Sequence, residues 1–120
     1  MTWTDEELDA IGAAGELTIA TERADGTTRT PVPIWVVRVG DEIFVRSWKG
    51  SGGAWFRQAT RLPRARIQAG GVDRAVHLTA TDPALRASID RAYYDKYGRG
   101  PYVDAMVTDS AAASTLTLAP

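Results

Sequence analysis

Hydrophobic positions along the chain switch between a helical and a strand period. Leu8 and Ile11, three residues apart, follow Thr4-Asp5-Glu6-Glu7, which has the form of a capping box with Thr4 as N-cap and Glu7 at N3. This predicts a short helix closed by Gly12 and Gly15. Over residues 16–23 the period drops to two, with Leu17, Ile19 and Thr21 on one face, the pattern of a half-buried strand. Ala24-Asp25-Gly26 signals a turn, and a second strand is expected over 28–39. Pro31 and Pro33 place its start at an edge or bulge, because neither can donate to a ladder. Gly40-Asp41 turns the chain into a third strand, 42–48, and the three strands read as an antiparallel meander.

A stretch of small residues, Gly50-Ser51-Gly52-Gly53, precedes a helix expected over 54–62 and ended by Pro63. Strands follow at 64–70 and 73–81, joined by the Gly70-Gly71 turn. Asp82-Pro83 then has the form of a helix start, with Asp82 as N-cap and Pro83 at N1. Leu85, Ile89, Ala92, Tyr93 and Tyr97 make one apolar helical stripe ending near Gly98. The tail reads as an irregular stretch and a last strand, 114–119. Six strands joined mostly by hairpins, with short helices between them, predict an α+β fold built on a closed or partly closed antiparallel barrel.

Composition narrows the function classes. The 120 residues fit one domain, with 44 % hydrophobic and 24 % charged residues, ordinary for a soluble protein. No cysteine is present, which excludes disulfides, thiolate catalysis and cysteine-based zinc sites. The one histidine, His77, alternates with Val76 and Leu78 on a strand and reads as a packing or surface residue rather than a triad member or metal ligand. The acidic start, MTWTDEELDA, is unlike a signal or transit peptide, and no apolar run approaches a membrane span. A cytoplasmic protein is the expectation.

Net charge is −1 but unevenly spread. From Ile43 to Val72 there is no Asp or Glu, while Arg46, Lys49, Arg57, Arg61, Arg64 and Arg66 all fall there. Such a run is an electrostatic footprint for an anion, or else a solvated basic face. The sequence pI of about 5.8 argues against a dedicated nucleic-acid binder. Asp90 and Asp95, among Arg86, Arg91 and Arg99, read as a solvated charged helix face.

The candidate chemistry centres on residues 44–58, FVRSWKGSGGAWFRQ. Trp55 stands where a dinucleotide fingerprint needs its third glycine, and no GxxxxGK[ST] phosphate loop exists. The stretch nevertheless carries what a phosphate needs. Gly50, Gly52 and Gly53 allow close backbone approach, Ser47 adds a hydroxyl, and Arg46 and Lys49 add charge ahead of a helix N-terminus. Trp48 and Trp55 offer flat faces to a planar ring. A mobile strand–helix corner with core tryptophans is the alternative. Tyr93 and Tyr97 read as core or interface residues, while Tyr94 points elsewhere.

These stretches, with RADGTTRTPVPIWVVRVGDEIFVRSWKGSGGAWFRQ and RIQAGGVDRAVHLTATDPALRASIDRAYYDKYG, resemble the bacterial domain-of-unknown-function family 2255. That family is similar to the deazaflavin-dependent nitroreductases of the FMN-binding split-barrel superfamily. The first resemblance covers nearly the whole chain, the second about residues 21 to 80. Asp25-Gly26, Arg29, Pro33 and Trp35 occupy the places of the relatives' glycine–basic turn and Pro-x-Trp-type segment. Arg46, Ser47, Lys49, Gly50, Trp55 and Arg57 match the segment that clasps the cofactor's phosphate side. The resemblance implies a split barrel, usually a homodimer, with an FMN or deazaflavin cleft near the dimer interface and nitroreductase-like hydride transfer by the cofactor. Arg46, Ser47, Lys49 and the Gly50–Gly53 backbone would then hold the phosphate, Arg57 would add charge, and Trp35 or Trp55 would border the ring. No catalytic residue is assigned. Asp25 stands where the relatives usually carry serine, which favours the alternative of a cofactor-free dimeric binding or interaction barrel. Binding of RNA or another polyanion by the basic run is a third option, whose signature would be steep salt dependence.

Overall fold

The computed structural model describes residues 2–120. Its strands are β1 (Leu17–Thr21), β2 (Val32–Ile34), β3 (Val36–Val39), β4 (Glu42–Val45), β5 (Arg64–Ala69), β6 (Val72–Ala80) and β7 (Leu116–Ala119). They form one antiparallel sheet in the order β2-β1-β5-β6-β7-β4-β3. The two ends of that order, β2 and β3, are consecutive in the chain, separated by Trp35 alone. The sheet therefore curls into a nearly closed barrel, and the fold is α+β as expected.

The strand count is seven rather than six because the strand expected over 28–39 breaks at Trp35. Before the break, β2 pairs with β1, Ile34 opposite Leu17 and Val32 opposite Ile19. Beyond it, β3 pairs with β4, Val36 opposite Val45. One kinked segment thus lies on both edges. Pro33 is tolerated because β2 has a neighbour on one side only.

Alternation along the strands fills the barrel. Ala65, Ile67 and Ala69 of β5 are buried while their neighbours are exposed, and they meet Leu17, Ile19, Val36, Ile43, Val45 and Leu118 inside. On β3 and β4 the other face is buried too. Val37 and Phe44 point outward into a second apolar cluster with Ile89, Tyr93, Val103 and Met106. Double-sided burial explains why these strands read as continuous apolar runs.

Helix α1 (Asp5–Ala13) carries the expected capping box, with Glu7 N–H donating to Thr4 Oγ1 and Thr4 N–H to Glu7. Helix α2 spans Ala54–Arg61. Asp82 accepts from the Ala84 amide and opens a 3-10 turn, Pro83–Leu85, that leads into α3 (Arg86–Tyr97). The tail expected to be irregular instead holds two short helices, α4 (Pro101–Met106) and α5 (Asp109–Ala113). Pro101 begins α4 and Thr108 caps α5 by accepting from Ala111 N–H. Both helices are too short for an apolar stripe to show, and tertiary packing holds them. Among the described residues no helix is long and apolar enough to cross a membrane.

Candidate functional site

The break at Trp35 exposes an aromatic face beside the barrel. A cleft of about 440 Å³ opens there between β2, the chain leaving β4, the start of α2, and α4. Trp35, Trp48, Trp55 and Tyr102 line it, with Met106 and Arg46 behind them and Glu16 at one side. Aromatic lining with few polar groups is the composition of a site for a planar organic ligand.

Each wall is fixed by its own element. Trp35 lies against Tyr97 of α3 in parallel planes, ring centroids 4.0 Å apart and 3° from coplanar. The Tyr97 hydroxyl accepts from Val36 N–H at 3.2 Å and donates to the Gly15 carbonyl at 2.8 Å. Lys96 Nζ donates to the Val36 carbonyl at 2.7 Å. The backbone just after the break is thus satisfied by α3 side chains. Burial pushes the Lys96 ammonium pKa down and the Tyr97 phenol pKa up. Since Tyr97 covers one face of Trp35, the cleft is bordered by the rest of the ring. Trp55 is nearly buried and meets Phe56 edge-on, whereas Trp48 and Tyr102 are 65 % and 82 % exposed.

Arg46 is the most consequential polar residue of the site, and it is wholly buried. Nη1 donates to Asp90 at 2.5 Å and to the Met106 carbonyl at 2.9 Å, and Nε donates to Thr115 Oγ1 at 2.8 Å. The guanidinium lies over the Tyr93 ring, 5.3 Å from its centroid. Burial pushes the Tyr93 phenol well above its ordinary pKa, with the Arg46 charge opposing the shift. Nη2 has no acceptor among the described residues. Asp90 therefore does not sit on a solvated face. It turns inward beside Ile89 and Tyr93, at 24 % side-chain exposure, and also faces Arg86 at 3.5 Å. The i, i+4 spacing of Arg86 and Asp90 imitates a surface pair, and nothing local reveals the third partner, Arg46, just past the end of β4.

The glycine stretch is a docked corner. Gly50 N–H donates to the Ser47 carbonyl, Gly52 N–H to Lys49, and Gly53 N–H to Gly50, so these three amides close turns within the loop. A Cβ on Gly50, at φ +60°, would lie 2.0 Å from Ser110 Oγ, and one on Gly53 would lie 2.3 Å from Ser47 Oγ. Close packing thus accounts for Gly50 and Gly53, while Gly52 faces open space. Ser47 is buried, and its backbone exchanges hydrogen bonds with Ser114 Oγ. Lys49 and Arg57 are exposed. Lys49 Nζ lies 5.3 Å from the Trp48 ring centroid, at the rim of the cleft. Of the nine sequence-derived site residues, Trp35, Arg46 and Trp55 line the cleft and the other six do not.

The basic run is not one face. Arg46 is internal and Arg66 pairs with Asp73 across the β5–β6 hairpin at 2.6 Å, while Lys49, Arg57, Arg61 and Arg64 make no ion pair among the described residues. Asp25 accepts from the Thr27 amide and hydroxyl, which lowers its pKa, and so shapes its own turn. Arg29 braces that turn through Thr21 Oγ1 and the Glu22 carbonyl. His77 is exposed on β6, and Tyr94 bonds Asp104. Tyr102 escaped sequence reasoning because it stands on α4, whose start at Gly100-Pro101 was the available signal.

The profile of a bacterial protein family, described as an uncharacterized protein conserved in bacteria, matches residues 7–118. The chain belongs to domain-of-unknown-function family 2255. No curated protein sequence matches it. Solved structures similar to this family member include a conserved hypothetical protein from Mycobacterium tuberculosis, at 16 % identity and a TM-score of 0.63, covering 98 % of this chain and 79 % of the other. An F420 reductase is similar at 16 % identity and a TM-score of 0.54, covering 92 % and 87 %. An FAD-binding protein from Mesorhizobium loti is similar at 14 % identity and a TM-score of 0.55, covering 98 % and 88 %. These likenesses show the split-barrel fold.

Proposed function

We propose that this family member is a flavin- or deazaflavin-binding, oxidoreductase-like protein whose cleft holds the cofactor's ring. The observation that carries the reading is the convergence of Trp35, Trp48 and Trp55 on one cleft that also borders a buried arginine. Neighbours of the same fold named as an F420 reductase and an FAD-binding protein support it. A bound flavin or deazaflavin supplies hydride transfer, and the protein supplies binding, orientation and exclusion of water. Trp35, held by Tyr97, and Trp55, wedged against Phe56, border the ring. Lys49 and Arg57 contribute positive charge toward a phosphate outside the cleft, with Ser47 and the Gly50–Gly53 corner fixing the backbone from which Lys49 projects. A second copy of the chain would cover the exposed Val32, Trp48 and Tyr102 on the cleft's open side, the homodimer that the resemblance implies.

Titration of the purified protein with FMN and with a deazaflavin, read by tryptophan quenching, tests this reading. Lys49→Glu localises the phosphate: FMN affinity is expected to fall about tenfold, from loss of one favourable charge and gain of a repulsive one. Riboflavin, which lacks the phosphate, should bind the variant as it binds the wild type. Because Lys49 is exposed, stability should change by no more than about 0.5 kcal/mol. Equal weakening for both ligands would move the phosphate away from Lys49.

A further inference from the structure

Glu16 lines the aromatic cleft, is exposed, and makes no ion pair among the described residues. Two observations place its side chain on the side of Trp35. Strands β1 and β2 pair with Leu17 opposite Ile34, and the same register carried one residue further sets Glu16 across from Trp35. Opposed residues of an antiparallel ladder point to one face, and Leu17 and Ile34 take the other, toward the barrel core. The second observation is the Tyr97 hydroxyl, which donates to the Gly15 carbonyl and so fixes the backbone just before Glu16. Burial is the main cause of the raised Tyr97 pKa; the Val36 amide opposes it and the Glu16 charge adds to it. The carboxylate thus lies within electrostatic reach of a residue that stacks on Trp35.

The cleft's other polar groups are of different kinds. Arg46 is wholly buried and its charge is directed to Asp90. The indole N–H groups of Trp35, Trp48 and Trp55 can only donate. Glu16 supplies the one carboxylate of the lining among the described residues, and an ionised carboxylate only accepts. A ligand edge bearing an N–H or O–H would gain a charge-assisted hydrogen bond there, whereas an anionic edge would be repelled. Lys49 carries the opposite sign and stands beside Trp48, on the chain leaving β4. A ligand with a donor at one end and a phosphate at the other is therefore oriented by the two charges.

We propose that Glu16 is a specificity-determining contact of the cleft, its carboxylate accepting a hydrogen bond from an imide-type N–H on the edge of a planar, uncharged ring. This rests on the reading of the cleft as a ring site and specifies which edge of the ring lies toward β1. The ligand's negative charge then falls on the side of Lys49.

The test compares two neutral tricyclic probes on the full chain by tryptophan quenching: lumiflavin, whose imide edge carries an N–H, and 3-methyllumiflavin, in which a methyl group replaces that hydrogen. The wild type should bind lumiflavin about fivefold more tightly, the scale of one hydrogen bond to a partly solvated charge. In Glu16→Ala the preference should disappear, with 3-methyllumiflavin bound as it is by the wild type. Glu16→Gln keeps an acceptor oxygen without the charge and should retain part of the preference. Because Glu16 is exposed, both variants should fold as the wild type does. Equal binding of the two probes by the wild type, or a preference undiminished in Glu16→Ala, would overturn the proposal. Saturable binding of FMN or a deazaflavin without a lumiflavin preference removes this inference and leaves the cofactor reading standing. Failure of all of them to bind removes both.

Discussion

Asp90→Ala is expected to destabilise the fold by about 3 kcal/mol, the lower end of the range for breaking a buried ion pair. The lower end applies because Asp90 keeps 24 % side-chain exposure, whereas the Arg46 side chain has none. Removing the carboxylate leaves the guanidinium with the Thr115 hydroxyl and the Met106 carbonyl but without a counter-charge. Arg46 ties β4 to α3 and α4, so the loss should loosen the helical side of the cleft as well. Chemical denaturation should show a lower midpoint with an unchanged slope, since the surface exposed on unfolding is the same. Arg86→Gln is the control. It removes partly exposed contacts to Asp90, Asp109 and the Val107 carbonyl and should cost about 1 kcal/mol, well below Asp90→Ala. Equal effects for the two variants would mean that the Arg46–Asp90 pair is not the fixed centre of this network.

The Gly70-Gly71 turn offers the second large effect. Both residues have positive φ, +56° and +86°, so an alanine at either position costs roughly 1–2 kcal/mol from the left-handed backbone alone. At Gly71 the space is open, and Gly71→Ala should stop at that cost. At Gly70 a Cβ would lie 2.3 Å from the carbonyl oxygen of Ala10 and 2.9 Å from its carbon. That neighbour is backbone of α1 and cannot rotate away, so helix and hairpin must separate. Gly70→Ala should therefore exceed Gly71→Ala by about 2 kcal/mol or more, the scale of forced backbone displacement in a packed interior. Thermal melts of the two variants side by side measure the difference.

Local rules made most of the fold legible. Thr4 and Glu7 announced α1, Asp82-Pro83 announced the turn into α3, alternation announced β1, and the Gly70-Gly71 turn announced the β5–β6 hairpin. What the sequence concealed depended on non-local contacts. The break at Trp35 exists because residues on its two sides pair with different partners, β1 and β4, which no local period records. Helices α4 and α5 are held by packing rather than by a stripe, and Tyr102 was hidden with them. At the site, residue types were informative and their directions were not. Trp35 and Trp55 border the cleft, while the Arg46 charge is directed to Asp90, a direction no local pattern records. The glycines looked like a cradle because flexibility and close packing select the same residue; their inward amides are visible only in three dimensions.

Equilibrium titration of the wild-type protein with FMN and with a deazaflavin, followed through tryptophan emission, tests the central claim most directly. Three of the four tryptophans, Trp35, Trp48 and Trp55, line the cleft, while Trp3 lies in the barrel core with its indole N–H on the Leu118 carbonyl. The cofactor reading predicts saturable quenching by at least one of the two ligands below millimolar concentration. Absence of saturable quenching by both, up to the millimolar range, would contradict it.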